Sequence, residues 1–306
     1  MTTAGPAVPM TTTPAIAVVN QASRRAKKKL TSPWASLVAV VIAVLWTLPT
    51  LGLAISSLRP ERQVKTTGWW TFFSDPQITL DNYRAVLSST GSGALGSYFV
   101  NSFVIVLPSV IIPISLAALA AYAFAWIDFK GKSLLFVAVF ALQIVPIQVT
   151  LIPLLELYVD AGLAGSFWSI WLSHSIFALP LAIFLLHNFM KEIPRELVEA
   201  ARMDGAGHVQ IFFRVLLPLL TPALAAIGIF QFLWVWNDLL VALTFAGGTT
   251  DVAPLTVALA NLSGTRGTAF HILAAGAFVS IIVPVVVFLS LQRYFVRGLL
   301  AGGLKG

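Results

Sequence analysis

The side chains that could carry out chemistry are few in this chain, and they form no catalytic pattern. Cysteine is absent, which excludes a disulfide framework, a thiolate metal site and a cysteine nucleophile. The four histidines are scattered without the spacing of metal ligands. A Gly-Lys-Ser sequence at 131–133 resembles the end of a phosphate-binding loop, but that loop needs a glycine where Trp126 stands. The residues therefore predict no enzyme, no metal and no cofactor bound by this chain.

A second group of polar residues lies in or beside long apolar segments, where burial is costly and a function is expected. Sugar sites combine aromatic rings, which cover C–H patches, with amides, which bond hydroxyl groups. The alternative is that these side chains bond neighbouring helices to one another, or, near a helix end, fix the local structure. We expect a substrate path that includes Gln143, Gln148, Gln231, Trp234 and Asn237.

The most distinctive charged stretch is VEAARMDGAGHVQIFFRVLLPLL, at 198–220. Pro194 suits the first turn of a helix, and Gly205 suits the left-handed position that follows a last turn. We predict a short surface helix at about 193–205, with Pro218 at the start of the next apolar segment. Glu199 could form weak ion pairs with Arg195, four residues before it, and with Arg202, three residues after it. A small, mostly apolar face is predicted from Leu197, Ala200, Ala201 and Met203.

The elements that position these residues are apolar helices. The chain is 58% hydrophobic and 10% charged, whereas soluble domains are about 25% charged. Several runs are long enough to cross a bilayer, which takes about 20 helical residues. The predicted fold class is an all-α membrane protein with six spans: Trp34–Ser57, Tyr98–Ile127, Leu134–Leu157, Phe167–Phe189, Leu219–Leu243 and Ile272–Leu291.

The distribution of basic residues predicts the orientation. With six spans both termini lie on one side, and 14 of the 19 lysine and arginine residues then fall on that side. Basic residues accumulate on the cytoplasmic side, so both termini are predicted to be cytoplasmic. The basic run at 23–30 is therefore the flank of an uncleaved first span, because the apolar run that follows is too long for a signal peptide.

This pattern divides the chain into five parts. Residues 1–33 are predicted to be a disordered basic tail, 34–58 the first span, and 59–97 an extracytoplasmic loop. A core of five spans, which includes the short helix, occupies 98–294, and a cytoplasmic tail follows at 295–306. A small-residue segment, AALAAYAFAW at 117–126, is best explained by close helix packing.

The order Glu199-Ala200-Ala201, Gly205, Val215 and Leu217-Pro218 resembles the signature of binding-protein-dependent ABC import permeases. One departure is Val215, where the family usually has isoleucine, and this change is conservative. The segments EAARMDGA, WNDLLVAL and QRYFVRGLLAGGLKG are similar to the maltose-type, carbohydrate-uptake branch, and the resemblance covers about residues 34–306.

The resemblance implies a function and a set of partners. The short helix would be a coupling helix that docks on an ATPase subunit through Glu199, Ala200, Ala201, Asp204 and Gly205, with Pro218 completing the motif. The partners would be a second, homologous permease, two ATPase subunits that bind ATP and magnesium, and an extracytoplasmic solute-binding protein. The expected location is the bacterial cytoplasmic membrane, and the expected solute is an oligosaccharide, a disaccharide or an α-glucoside such as trehalose or maltose.

Two rival functions make different predictions. A permease for a glycerol-phosphate-type solute would need arginine or lysine facing the cavity, and no span centre holds one. An ion-coupled secondary transporter would need carboxylates within the spans, and span centres have essentially none. Both rivals are disfavoured by the residues and remain open at this point.

Overall fold

A computed structural model describes residues 33–88, 95–246, 251–263 and 269–303. Within these residues every regular element is a helix. The predicted disordered tail therefore lies almost wholly outside the described residues. The helices are α1 (Pro33–Ser57), α2 (Glu61–Thr66), α3 (Asp81–Leu87), α4 (Gly96–Trp126), α5 (Lys132–Ile144), α6 (Ile147–Asp160), α7 (Phe167–Lys191), α8 (Arg195–Met203), α9 (His208–Leu219), α10 (Thr221–Trp236), α11 (Leu240–Phe245), α12 (Leu255–Ser263) and α13 (Phe270–Gly303).

The long apolar helices allow the predicted six spans but show four of them as single helices. Four of them, α1, α4, α7 and α13, are each long and apolar enough to cross a membrane. Two further crossings are possible if each of two bent pairs of helices, α5 with α6 and α9 with α10, counts as one span. The chain is therefore a multi-pass helical membrane protein with four spans, or up to six, in the part that the structure describes.

The predicted third span is not straight, because α5 and α6 meet at an angle of 100°. Pro146 lies at the break, and the residue before it, Val145, has an extended backbone with ψ of 120°. Proline has no N–H to donate and disfavours helical geometry in the preceding residue, so the helix stops there. The predicted fifth span begins at a second bend, of 72° between α9 and α10, and its last residues form the separate helix α11.

The chain divides into two units, and the described part of the first is residues 33–55 of α1. Its side chains are largely exposed, including Trp34 and Trp46. Such an apolar helix surface is stable only against lipid or other apolar helices, as expected for the predicted first span.

The second unit, from Ser56 onward, has its main contact between α4 and α7, and α10 packs against both α4 and α13. Ala117, Ala118 and Ala121 of α4 are almost fully buried at the contact with α7. Small side chains allow the two backbones to approach closely, which is the packing predicted for this segment.

The predicted loop after the first span contains a compact helical cap built around Arg59. This side chain is 1% exposed, and its partners in the described part of the chain are uncharged: Gly68 O at 2.9 Å, Thr67 Oγ1 at 2.6 Å, Thr71 Oγ1 at 3.0 Å and Gln63 Oε1 at 3.3 Å. A buried charge is tolerated when its donors are satisfied, so Arg59 ties α2 to the 3-10 turn that follows it.

Removing this guanidinium should loosen the cap. We expect Arg59→Gln to lower the melting temperature of the purified protein and to speed proteolysis within residues 60–80, because each unsatisfied buried acceptor costs about 1–3 kcal/mol. Differential scanning fluorimetry and limited proteolysis measure both effects. The control is Arg62→Gln, since Arg62 is exposed. Equal melting temperatures for the two variants would contradict the role of Arg59.

The connection between α11 and α13 contains the short helix α12. Within it, α12 packs against α13 and α4, although no helix was predicted there. The amide of Asn101 donates to Ala253 O at 3.1 Å, and Ser102 Oγ accepts from the Leu255 N–H at 2.8 Å. Near the other end of the chain, α13 continues to Gly303, so most of the predicted tail at 295–306 is helical.

Candidate functional site

The short helix predicted at about 193–205 is present as α8, and it is strongly two-sided. Val198 is 2% exposed and Ala201 is half-buried. Val198 packs into a cluster with residues of α4, α7 and α9, including Ala121, Met190 and Phe212. This anchor was not identified from the sequence. It anchors the buried face of α8 in this cluster, mainly against α9, so that a displacement of α8 reaches its neighbours.

The opposite face of α8 is exposed and suited to a partner. Glu199, Ala200 and Asp204 are exposed, and Met203 leaves 87% of its surface uncovered. An apolar side chain this exposed beside small and acidic residues is typical of an interaction surface. Leu197 is also on the exposed side, at 46%.

Two details of the predicted helix need correction. The predicted apolar face grouped Ala201 with Leu197, Ala200 and Met203, but Ala201 turns toward the protein and the others turn outward. Among the described residues, no ion pair within 4.0 Å includes Glu199. The two arginines that could pair with Glu199, Arg195 and Arg202, are both exposed. Solvated charges gain little from pairing, so Glu199 stays available to another protein.

The end of α8 is closed by a left-handed glycine, as predicted. Gly205 has φ of +82°, its N–H donates to Arg202 O at 2.9 Å, and the Ala206 N–H donates to Ala201 O at 2.9 Å. These two bonds form a Schellman cap, which favours glycine because other residues are strained at positive φ. The turn toward α9 is therefore fixed by backbone geometry.

Pro218 is exposed and lies near the end of α9, two residues before the bend at Leu220. Its missing N–H cannot bond the carbonyl four residues earlier, and the helix widens to π-type turns between Ile211 and Leu216. Pro218 is therefore a feature of the bent connection and does not belong to the exposed face of α8.

A cavity of about 520 Å³ brings together three of the five predicted path residues, Gln143, Gln231 and Trp234. It is open on one side and lies between the α5–α6 break, α7 and α10. A neighbouring cavity of about 450 Å³ shares Gln143, Ile147 and Phe177 with it. Among the described residues that line these two cavities, none is charged.

The amide of Gln231 is held in place within this cavity. Its Nε2 donates to Ser109 O at 3.0 Å, and Gln231 is 8% exposed. One half of the amide thus bonds α4, as the packing interpretation expected, while Oε1 accepts no hydrogen bond from the described residues. Ser109, which orients this amide, was not identified from the sequence.

The other two predicted path residues line neither cavity. Gln148 is exposed near the start of α6. Asn237 follows the last residue of α10, and its Nδ2 donates to Leu233 O at 2.7 Å. Asn237 therefore stabilises a helix end, as the alternative interpretation of that residue expected.

Trp234 is supported from behind by a buried polar pair. The ring of His174 packs edge-on against the indole, with centroids 5.0 Å apart. His174 Nε2 lies 3.6 Å from Asp238 Oδ2, and Asp238 in turn accepts from the N–H groups of Val241 and Ala242 at the start of α11. This arrangement limits the positions open to the Trp234 ring.

This chain is similar to known membrane transport components. Residues 114–300 match the family model of binding-protein-dependent transport system inner membrane components. The osmoprotective compounds uptake permease protein GgtD of Synechocystis sp. is 54% identical over 87% of this chain and 90% of its own length. The alpha-glucoside transport system permease protein AglG of Rhizobium meliloti is 39% identical over 89% of this chain and 97% of its own length.

A solved structure has the same fold. A chain in the crystal structure of a bacterial ABC transporter involved in import of the acidic polysaccharide alginate matches with a TM-score of 0.67. The match covers 86% of this chain and 98% of that chain, at 22% sequence identity. At this identity the match supports the helical fold alone, which is that of an ABC importer permease.

Proposed function

This chain belongs to the family of binding-protein-dependent transport system inner membrane components, as a sugar-importing ABC permease subunit, and we propose that its solute is a neutral α-glucoside or small oligosaccharide. Such subunits are not themselves enzymes. The named relatives take up osmoprotective compounds or alpha-glucosides. A neutral glucoside of disaccharide size, such as trehalose, would fit both descriptions, an osmoprotective compound and an alpha-glucoside.

The observation that carries this proposal is the chemistry of the cavity. Its described lining combines the Trp234 ring with the amides of Gln143 and Gln231 and has no charged side chain. A phosphate or carboxylate would be buried there without a counter-charge, which costs several kcal/mol. An uncharged sugar instead matches the ring through its C–H face and the amides through its hydroxyl groups. This chemistry favours a glucoside over the glycerol-phosphate alternative.

The proposed partners would supply the other wall of the cavity, the energy for transport and the delivery of the solute. The cavity is open on one side, and we propose that a second, homologous permease closes it. Energy would come from two ATPase subunits that bind ATP and magnesium, and one of the two would dock on the exposed face of α8. The docking residues would be Glu199, Ala200, Met203, Asp204 and Gly205, while half-buried Ala201 supports the helix from beneath. An extracytoplasmic binding protein would deliver the solute, with both termini of this chain in the cytoplasm.

The test is transport by the isolated complex. The chain is tagged, extracted in mild detergent, and purified with whatever binds it, and the complex is reconstituted in liposomes. The expected result is ATP-dependent accumulation of labelled trehalose or maltose that excess glycerol 3-phosphate does not reduce. Uptake by the chain alone, driven by an ion gradient without ATP, would contradict the ABC assignment, and competition by glycerol 3-phosphate would contradict the neutral solute.

A further inference from the structure

Tyr122 links the end of α4 to the chain segment that follows α8. Its hydroxyl group lies 2.7 Å from Nδ1 of His208, the first residue of α9, and the tyrosine is 6% exposed. The phenol ring also packs edge-on against Phe212, one turn further along α9, with centroids 5.4 Å apart. A buried phenol needs a partner for its hydroxyl group, and here that partner is the residue beside the short helix.

The connection between α8 and His208 has little freedom. Only Asp204, Gly205, Ala206 and Gly207 separate them. The Schellman cap fixes the first half of this connection, and the Gly207 N–H donates to Gln210 Oε1 at 3.3 Å in the second half. A displacement of α8 therefore moves His208 with it, and the hydrogen bond passes that displacement to Tyr122.

The same helix that carries Tyr122 also reaches the cavity. Ser109 lies 13 residues earlier on α4, which is about 20 Å along the helix axis. Its carbonyl group accepts the hydrogen bond from Gln231, whose side chain lines the cavity. One continuous helix thus joins the contact next to α8 to the amide in the proposed solute path.

We propose that Tyr122 is a positioning residue that transmits movement of the ATPase-docking helix α8, through His208, to α4 and so to the cavity. This inference rests on the proposed function, because it needs ATPase subunits that move α8. Transport requires both the docking contact and this link, whereas ATP hydrolysis by the docked subunits requires only the docking contact. Loss of the link should therefore separate hydrolysis from uptake.

The direct test is Tyr122→Phe in the reconstituted complex. The variant removes the hydroxyl group and keeps the ring contacts with Phe212. We expect the ratio of solute imported to ATP hydrolysed to fall about fivefold, the effect of losing one net hydrogen bond, with hydrolysis retained. A purely structural loss would lower both rates together and leave this ratio unchanged. The ratio is measured per complex that contains the ATPase subunits, so differences in assembly do not affect it.

Variants of His208 give an independent measurement. His208→Ala should lower the ratio as Tyr122→Phe does, and the double variant should be no worse than either, because both remove the same bond. His208→Asn keeps an acceptor near the position of Nδ1 and should restore much of the ratio. If Tyr122→Phe does not assemble, the comparison of His208→Ala with His208→Asn decides, and equal ratios for these two would overturn the inference.

Tyr158→Phe is the matched control. Tyr158 is 3% exposed, and its hydroxyl group accepts a hydrogen bond from Ser173 at 3.1 Å, in a different core cluster. This variant loses a comparable buried bond and should keep the wild-type ratio. A wild-type complex without ATP-driven uptake would refute the proposed function, whereas a coupled wild type with an unchanged Tyr122→Phe ratio would refute this inference alone.

Discussion

The Gly205→Asp variant is expected to insert into the membrane at the wild-type level and to lose ATP-driven uptake. Gly205 has φ of +82°, where a residue with a side chain is strained by about 1 kcal/mol or more. A Cβ atom at this position would meet no atom within 4 Å, so the cost within this chain comes from the backbone alone. The larger effect is on docking, because an added carboxylate without a partner in a closed interface costs about 3 kcal/mol, roughly a hundredfold in binding.

Uptake, membrane content and co-purified ATPase are measured together for this variant. Two other glycines separate the causes. Gly207 lies two residues away with φ of −77° and open space around it, so Gly207→Asp adds the same charge without strain. Gly131 has φ of +81° and open space, so Gly131→Asp adds the same strain outside α8. Full uptake by Gly205→Asp, or equal loss in Gly131→Asp, would remove the role assigned to Gly205.

The elements that could be predicted are those set by local chemistry. Apolar run length identified the membrane spans, and Pro194 with Gly205 predicted the ends of α8, because proline and glycine restrict or permit backbone angles irrespective of the rest of the fold. Close packing of α4 was likewise predicted from its alanines. In each case the relevant property belongs to the residue or its immediate neighbours.

The features that were missed depend on contacts between distant parts of the chain. Tyr122 and His208 are 86 residues apart, and each alone was an unremarkable residue among alanines or scattered histidines. The break at Pro146 needs more than the proline itself, since its 100° angle depends on how α5 and α6 pack on other helices. Amides in apolar segments were equally ambiguous. Gln231 lines the cavity while Asn237 caps a helix, and the difference is their distance from the helix end.

Replacing Trp234 with alanine should raise the solute concentration needed for half-maximal uptake about tenfold. Of the three predicted path residues that line the cavity, only Trp234 is aromatic. Stacking of its ring on a sugar is worth about 1 kcal/mol or slightly more. His174 and Asp238 hold the ring from behind, so the free protein already presents it. Preorganisation of this kind means that the full stacking energy is available to the solute.

The measurement is the dependence of ATP-driven uptake in liposomes on solute concentration, with the binding protein kept at one fixed concentration for every variant. Trp234→Phe keeps an aromatic face and should recover much of the affinity. Trp168→Ala is the control, because Trp168 is a half-exposed tryptophan on α7 that lines neither cavity. If Trp234→Ala instead lowers the maximal rate at an unchanged half-saturating concentration, the ring acts in helix packing, and the solute path lies elsewhere in the complex.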